Sequence, residues 1–175
     1  MVLRGGRSCW SPACQVAASR PCWPELKRRG HRVINTQDPG WIIETHTGGG
    51  PELVWDLEQI KALIEGHRTG WLFIAGCVAK QGAVYDGFDA VVLLRAPVDV
   101  ILDRVADRAN PFGSTAEERT KTAKDLATFE PLLRAGADRE IVTTPPVHEV
   151  VAALEQIASR AGHRDPLRSR HTHRT

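Results

Sequence analysis

The sequence predicts an α/β fold, a three-layer arrangement with a parallel sheet between helices on both faces. Three observations carry that expectation. Gly70 to Cys77 and Phe88 to Leu94 are continuous apolar runs, the pattern of strands buried on both faces of a parallel sheet. Leu57, Ile60, Leu63 and Ile64 fall on one stripe at helical spacing, which marks an amphipathic helix between extended segments. From residue 25 onward, extended and helical stretches alternate, and alternation of this kind belongs to parallel sheets with crossover helices.

The elements follow in order. Glu25 to Arg29 with Gly30 reads as a last helical turn, since basic residues suit the negative helix end and glycine suits the left-handed cap. His31 to Asn35 is a short strand ending at Thr36-Gln37-Asp38-Pro39-Gly40. Trp41 to Thr45 continues extended into a Gly-rich turn, His46 to Pro51. Leu53 to Gly66 is expected as a helix, stopped by Gly66. The strand Gly70 to Cys77 and the strand Phe88 to Leu94 come next. Pro97 to Asp107 is helical, with Pro97 near the first turn and Val98, Ile101, Leu102 and Val105 on one side. Asn110-Pro111-Phe112-Gly113 breaks the chain. Ser114-Thr115-Ala116-Glu117 is then a capping box that opens a helix towards Arg134, with an interruption expected near Pro131. Ala137 to Thr143 is a last short strand and Val147 to Ala161 a last helix, with Val150, Val151, Leu154 and Ile157 inward.

Composition limits the function classes. The chain has 175 residues, 42% hydrophobic and 25% charged, which suits one soluble globular domain. No apolar run approaches the roughly 20 residues that span a bilayer, and the first residues lack a secretory apolar centre. The expected compartment is the cytoplasm, with no membrane partner. The net charge of +2 is a property of the tail. Residues 160–175 hold five arginines against Asp165, a local charge of +4, so the remainder sums to −2. Residues 162–175, with little apolar content, are expected to form a disordered basic tail. A solvated end is the better reading of that tail, and nucleic acid is not expected as a partner. Cys9, Cys14 and Cys22 lack the C-x-x-C spacing of a zinc site, and no histidine pair completes one.

The opening segment, residues 1–24, fits none of this. Cys9 to Pro24 reads C-W-S-P-A-C-Q-V-A-A-S-R-P-C-W-P, with three of the four cysteines and three prolines. Pro12, Pro21 and Pro24 interrupt any regular element longer than a few residues. In an α/β domain this position calls for a first strand, a turn and the start of a first helix.

Residues 25 to 157 resemble the shikimate-kinase and adenylate-kinase-like group of P-loop kinases, and most closely small bacterial proteins labelled ATP-binding or AAA-family ATPases. Four stretches carry the resemblance: L-K-R-R-G-H-R-V-I-N-T-Q-D-P-G-W (26–41), W-L-F-I-A-G-C-V-A-K-Q-G (71–82), F-D-A-V-V-L-L-R-A-P (88–97) and N-P-F-G-S-T-A-E-E-R (110–119). Residues 25–161 would then be the kinase-like domain. The resemblance implies a five-stranded parallel sheet of order 2-3-1-4-5 with a phosphate loop after its central first strand. It also implies ATP and Mg²⁺ as cofactors, and phosphoryl transfer to a small-molecule acceptor whose identity the sequence leaves open. A non-catalytic binding protein on the same fold is the alternative.

A G-x-x-x-x-G-K-[ST] loop wraps phosphates with backbone N–H groups, meets them with its lysine and binds Mg²⁺ through its hydroxyl. The positions that match it are Ala13, Cys14, Gln15, Val16, Ala17, Ala18, Ser19 and Arg20, with no glycine and no lysine. The genetic code offers a reason. When Cys9 to Pro24 is back-translated and read from the last base of each codon, the forced bases permit L-V-T-G-M-S-G-G-G-K-S-T-V-L-A. Glu25-Leu26 then follows in the original phase. The shifted reading is a strand and a full phosphate loop, in register with the helix it should start, and it implies a compensating pair of frameshifts. An N-terminus that diverged and never bound nucleotide is the other explanation.

The remaining candidates come from the resemblance. Asp38 stands where the family places an acid facing Mg²⁺ or the acceptor, although Asp before Pro39 also suits a plain turn, and the second acid often found beside it is Gln37 here. Arg108 and Arg119 stand where lid arginines close over ATP, against the ordinary reading of a solvated helix face. For Arg104 the solvated reading is the stronger one. Gly76, Cys77 and Gln81 stand where the acceptor would bind, with Cys77 also readable as a small buried residue. Thr144 and Pro145 match a loop that borders adenine in relatives.

Overall fold

The computed structural model describes residues 22–47, 50–76, 78, 87–106 and 115–161. It is a mixed α/β structure with five helices, two parallel strand pairs and one antiparallel hairpin among the described residues.

Helix α1 spans Cys22–Arg28 and buries Cys22 and Leu26. It begins ahead of Pro24, which sits in the first turn, where the missing N–H has no intrahelical partner to lose. Glu25 lies in the first turn, with Lys27 and Arg28 in the last, as the helix dipole favours. Gly30 turns the chain at φ 88° into strand β1, Arg32–Asn35. After the turn at residues 36–40, β2 (Ile42–Thr47) and β3 (Gly50–Trp55) form an antiparallel hairpin, with Ile42 opposite Trp55 and His46 opposite Pro51.

That hairpin corrects the expected helical start at Leu53. Leu53, Val54 and Trp55 pair back onto Glu44, Ile43 and Ile42. Helix α2 covers Leu57–Gly66 instead, and Asp56 caps it by accepting a hydrogen bond from the Gln59 backbone at 3.2 Å. The physical reason is local. Asp56 offers the backbone a cap at the point where the apolar stripe begins, and Leu53 to Trp55 are more strongly held by the β2 ladder than by a helix lacking that cap.

Strand β4 is Leu72–Ala75, inside its expected run, and β5 is Val92–Arg95, which starts later than expected and ends one residue past Leu94. Helix α3 (Val98–Ala106) follows β5 directly. Helix α4 (Ala116–Gly136) opens on Thr115, whose hydroxyl accepts from Glu118 while the Glu118 carboxylate accepts from the Thr115 backbone. It runs through Pro131 without the expected interruption. Pro131 is exposed, so the carbonyl that loses its intrahelical donor has water available. Strand β6 (Arg139–Val142) and helix α5 (Val147–Ala161) complete the chain order, and α5 has the bounds the sequence predicts.

Strand β1 pairs in parallel with β4, Val33 against Phe73 and Ile34 against Ile74. Strand β5 pairs in parallel with β6, Val92 against Arg139 and Leu94 against Ile141. The described strands thus form three two-stranded sheets, where a single five-stranded sheet was expected. Alternation along the strands divides the core in two. Phe73, Val92 and Leu94 pack with Cys22, Leu26, Val151 and Leu154 of α1 and α5. Ile74 and Val91 pack with Ile60, Leu63 and Trp55 of α2 and the hairpin. The two parallel pairs therefore contribute to the same two cores, one on each face. A smaller cluster, Ala96 and Ile101 with Leu126, joins α3 to α4.

Candidate functional site

The carboxyl ends of the parallel strands are the place to look for a site in this architecture. At the end of β1, Asn35, Gln37 and Asp38 form a tight turn. The Asn35 side chain accepts from the Gln37 backbone at 3.1 Å and donates to an Asp38 carboxylate oxygen at 2.8 Å. The Asp38 backbone also donates to the Asn35 carbonyl at 3.1 Å. Asp38 is exposed, and its carboxylate is engaged in holding its own turn.

Thr36 joins this turn to the end of β4. It is fully buried, and both its backbone N–H (2.8 Å) and its hydroxyl (3.2 Å) donate to the Ala75 carbonyl. The approach is so close that a Cβ placed on Gly76 would stand 1.7 Å from the Thr36 hydroxyl oxygen. Gly76 is a glycine here because the neighbouring strand end leaves no room for a side chain. The expected acceptor residue Gly76 and the expected acid Asp38 are thus brought to one corner, across β1 and β4.

The other pair ends in a second corner. Thr143, just past β6, is buried and donates to the Arg95 carbonyl through its backbone (2.8 Å) and its hydroxyl (3.1 Å). Arg104 reaches back from α3, donating to the Thr143 hydroxyl at 3.0 Å and to the Thr143 carbonyl at 2.5 Å. Arg104 is also close enough to the start of α1 to act on Cys22. Burial pushes that thiol up to about 11, and the Arg104 charge pulls it partly back. A thiol so protonated is not a nucleophile at neutral pH. The exposed Thr144 and Pro145 continue from this corner into α5.

Arg119 lies in the first turn of α4, exposed, with its backbone bonded to Thr115. The phosphate-loop positions Ala13 to Arg20, together with Cys77, Gln81 and Arg108, lie outside the described residues. Arg104 reads in the sequence as a solvated helix face, and the structure finds it partly buried and bonded to Thr143. Its spacing on α3 places it on the partly buried side, and only the tertiary fold shows that Thr143, 39 residues away, anchors it.

The described residues assemble no donor set for Mg-ATP. Positions 13–20 carry no glycine and no lysine, and the Asp38 carboxylate is bonded within its own turn. Among the described residues no group of three histidine, cysteine, aspartate or glutamate side chains could hold a metal ion.

One cavity bears on the architecture. It measures about 270 Å³ and opens at the amino ends of β4 and β5, opposite the corners just described. Trp71, Leu72, Ala90 and Val92 form its sides, Ile64 of α2 closes it on one face, and Leu154 and Ile157 of α5 close it on the other. It therefore sits at the amino end of the strand layer, between residues of α2 and α5.

No family model, no curated protein and no solved structure matches this chain.

Proposed function

We propose that this chain is a P-loop kinase-type domain with sheet order 2-3-1-4-5. Its ancestral activity is Mg-ATP binding with phosphoryl transfer to a small acceptor, and its own nucleotide affinity is severely weakened by the altered opening segment. One observation supports the reading: β1–β4 and β5–β6 are parallel pairs that share two cores. In order 2-3-1-4-5 these pairs are 2-3 and 4-5, and the first strand runs between them. The shifted reading of codons 9–24 supplies that strand and a phosphate loop leading into α1, whose start lies beside Arg104. In this reading Arg104 and Thr143 border the nucleotide, and Asp38 and Gly76 border the acceptor. Arg108 and Arg119 belong to the lid.

The test compares two chains by calorimetric ATP titration. The chain as written is expected to show no micromolar binding. A chain in which residues 9–24 are replaced by L-V-T-G-M-S-G-G-G-K-S-T-V-L-A is expected to bind ATP with micromolar Kd. Micromolar affinity in the unaltered chain would overturn the claim of weakening, and no binding in the repaired chain would overturn the nucleotide reading. The engagement of Asp38 in its own turn favours a second possibility, a non-catalytic binding protein on the same fold. A repaired chain that binds ATP but transfers phosphate to no small acceptor is the outcome that selects it.

A further inference from the structure

We propose that His31 is a pH-sensitive clasp between the α1–β1 corner and helix α5, strong when its ring is protonated and weaker when the ring is neutral. The inference does not depend on nucleotide binding or on the strand order proposed above.

The turn at Gly30 and a hydrogen bond from the His31 backbone to the Leu26 carbonyl (3.1 Å) fix where the ring starts. The side chain is 14% exposed, and its Nε2 stands 2.9 Å from Glu155 Oε1 on α5. The ring stacks on Trp71 with centroids 5.0 Å apart and planes at 27°, and meets Phe73 edge-on at 5.5 Å. Two of these contacts strengthen together on protonation. The hydrogen bond to Glu155 becomes charge-assisted, and a cation over the indole face is attracted by the ring quadrupole. A neutral ring keeps the stacking and loses the charge from both. Histidine is the side chain whose charge ordinarily changes between pH 5 and 8.

The charged groups around the ring come from two elements. From α1, Arg29 bonds the other Glu155 oxygen at 2.6 Å and opposes a second cation nearby, while Glu25 accepts from Arg29 at 2.8 Å and offsets that charge. From α5, Glu155 meets both Arg29 and His31, and the His148 carbonyl accepts from Arg29 at 3.4 Å. Trp71 and Phe73 bring uncharged rings. The His31 bond is the largest cause holding the Glu155 carboxyl below its ordinary value. Such coupling is reciprocal, so the ionised carboxylate stabilises the imidazolium in turn. Glu155 adjoins Leu154, which is buried with Val150 and Val151 in the core shared with α1 and β4. The clasp therefore acts on how firmly α5 is docked. Its contribution is present when His31 is protonated and is lost as pH rises, the opposite sense to the loss that protonated carboxylates cause in acid.

The test uses the full-length chain and two readouts, the proton titration of the His31 ring by NMR and amide protection factors along α5, which remove the intrinsic pH dependence of exchange. Glu155→Gln is expected to weaken the proton affinity of His31 by about threefold or more. In the parent, protection across residues 150–158 is expected to be about threefold higher near pH 5.5 than near pH 8. That difference should vanish in His31→Gln. An unchanged or raised proton affinity in Glu155→Gln, no pH difference in the parent, or the same difference in His31→Gln would each overturn the proposal. A contact that serves packing alone moves neither readout with pH. Should His31→Gln fail to fold, Glu155→Gln carries both measurements, and a pH difference in protection as large as the parent's would overturn the clasp.

Discussion

Gly76 shows how much one atom decides at the end of β4. Its missing Cβ is what lets the Thr36 hydroxyl reach the Ala75 carbonyl, because the added carbon would lie 1.7 Å from that oxygen and 3.0 Å from the Thr36 Cβ. Neither neighbour is a flexible chain end, and Thr36 is fully buried. Gly76→Ala is therefore predicted to destabilise the protein by about 1–3 kcal/mol, the range for overpacking a core position. Thr36→Ala removes the nearer contact but leaves the Cβ contact, so the double variant should lose less stability than the two single losses added together. Urea unfolding of the four proteins measures this, and strict additivity would show that the close approach is absent. The sequence offered Gly76 as an acceptor-binding residue, and its glycine character has a packing cause.

Helix α2 and the hairpin before it show where element boundaries come from. The apolar stripe of Leu57, Ile60, Leu63 and Ile64 was legible in the sequence, and Ile60 and Leu63 are indeed buried. The first turn was not legible, because Leu53 also fits an extended pattern and the choice depends on β2 lying opposite. Asp56 settles the start by capping. Its carboxylate accepts from the Gln59 backbone at 3.2 Å and from the Gln59 side chain at 3.0 Å. Asp56→Ala should cost about 1 kcal/mol in thermal or urea unfolding, and Asp56→Asn much less, since asparagine caps comparably. An Ala variant as stable as the parent would show that the hairpin, not the cap, fixes the helix start. Helix α4 is a contrasting case: the sequence predicts a capping box from Ser114 to Glu117, and the structure sets it one residue later, at Thr115 and Glu118, so the motif was legible but its register was not.

At the scale of the molecule, α1, β1 and α5 are tied by a charged network with a defined pH response. Glu25 accepts from Arg28 and Arg29, while Arg29 and His31 both reach Glu155 on α5, at 2.6 and 2.9 Å. His31 also stacks on Trp71 with ring centroids 5.0 Å apart. Hydrogen bonds from Arg28 and Arg29 hold the Glu25 carboxyl down at about 2. The His31 bond, then the Arg29 bond, holds Glu155 below its ordinary value. A carboxyl depressed in the folded state gives stability that is present above its unfolded value and is lost as pH falls through its folded value. The urea midpoint is therefore predicted to fall from about pH 4.5 towards pH 2, and Glu155→Gln should flatten part of that slope. An unchanged acid slope in the variant would remove Glu155 from the account. Solvent screens these exposed pairs, so the network tunes the acid limit and does not make the fold.

The sequence by itself determined which stretches are buried, where α5 begins and ends, and that a capped helix opens close to residue 115. Those features depend on periodicity and on caps within one helical turn, both of which are local. Tertiary structure alone decided that Thr36 requires glycine at position 76. It also brought Arg104 to Thr143 and gave Leu53 to Trp55 to a ladder in place of a helix. Each of these depends on an atom contributed from elsewhere in the chain, and residue order carries no distance between segments until the backbone has closed the loops that separate them.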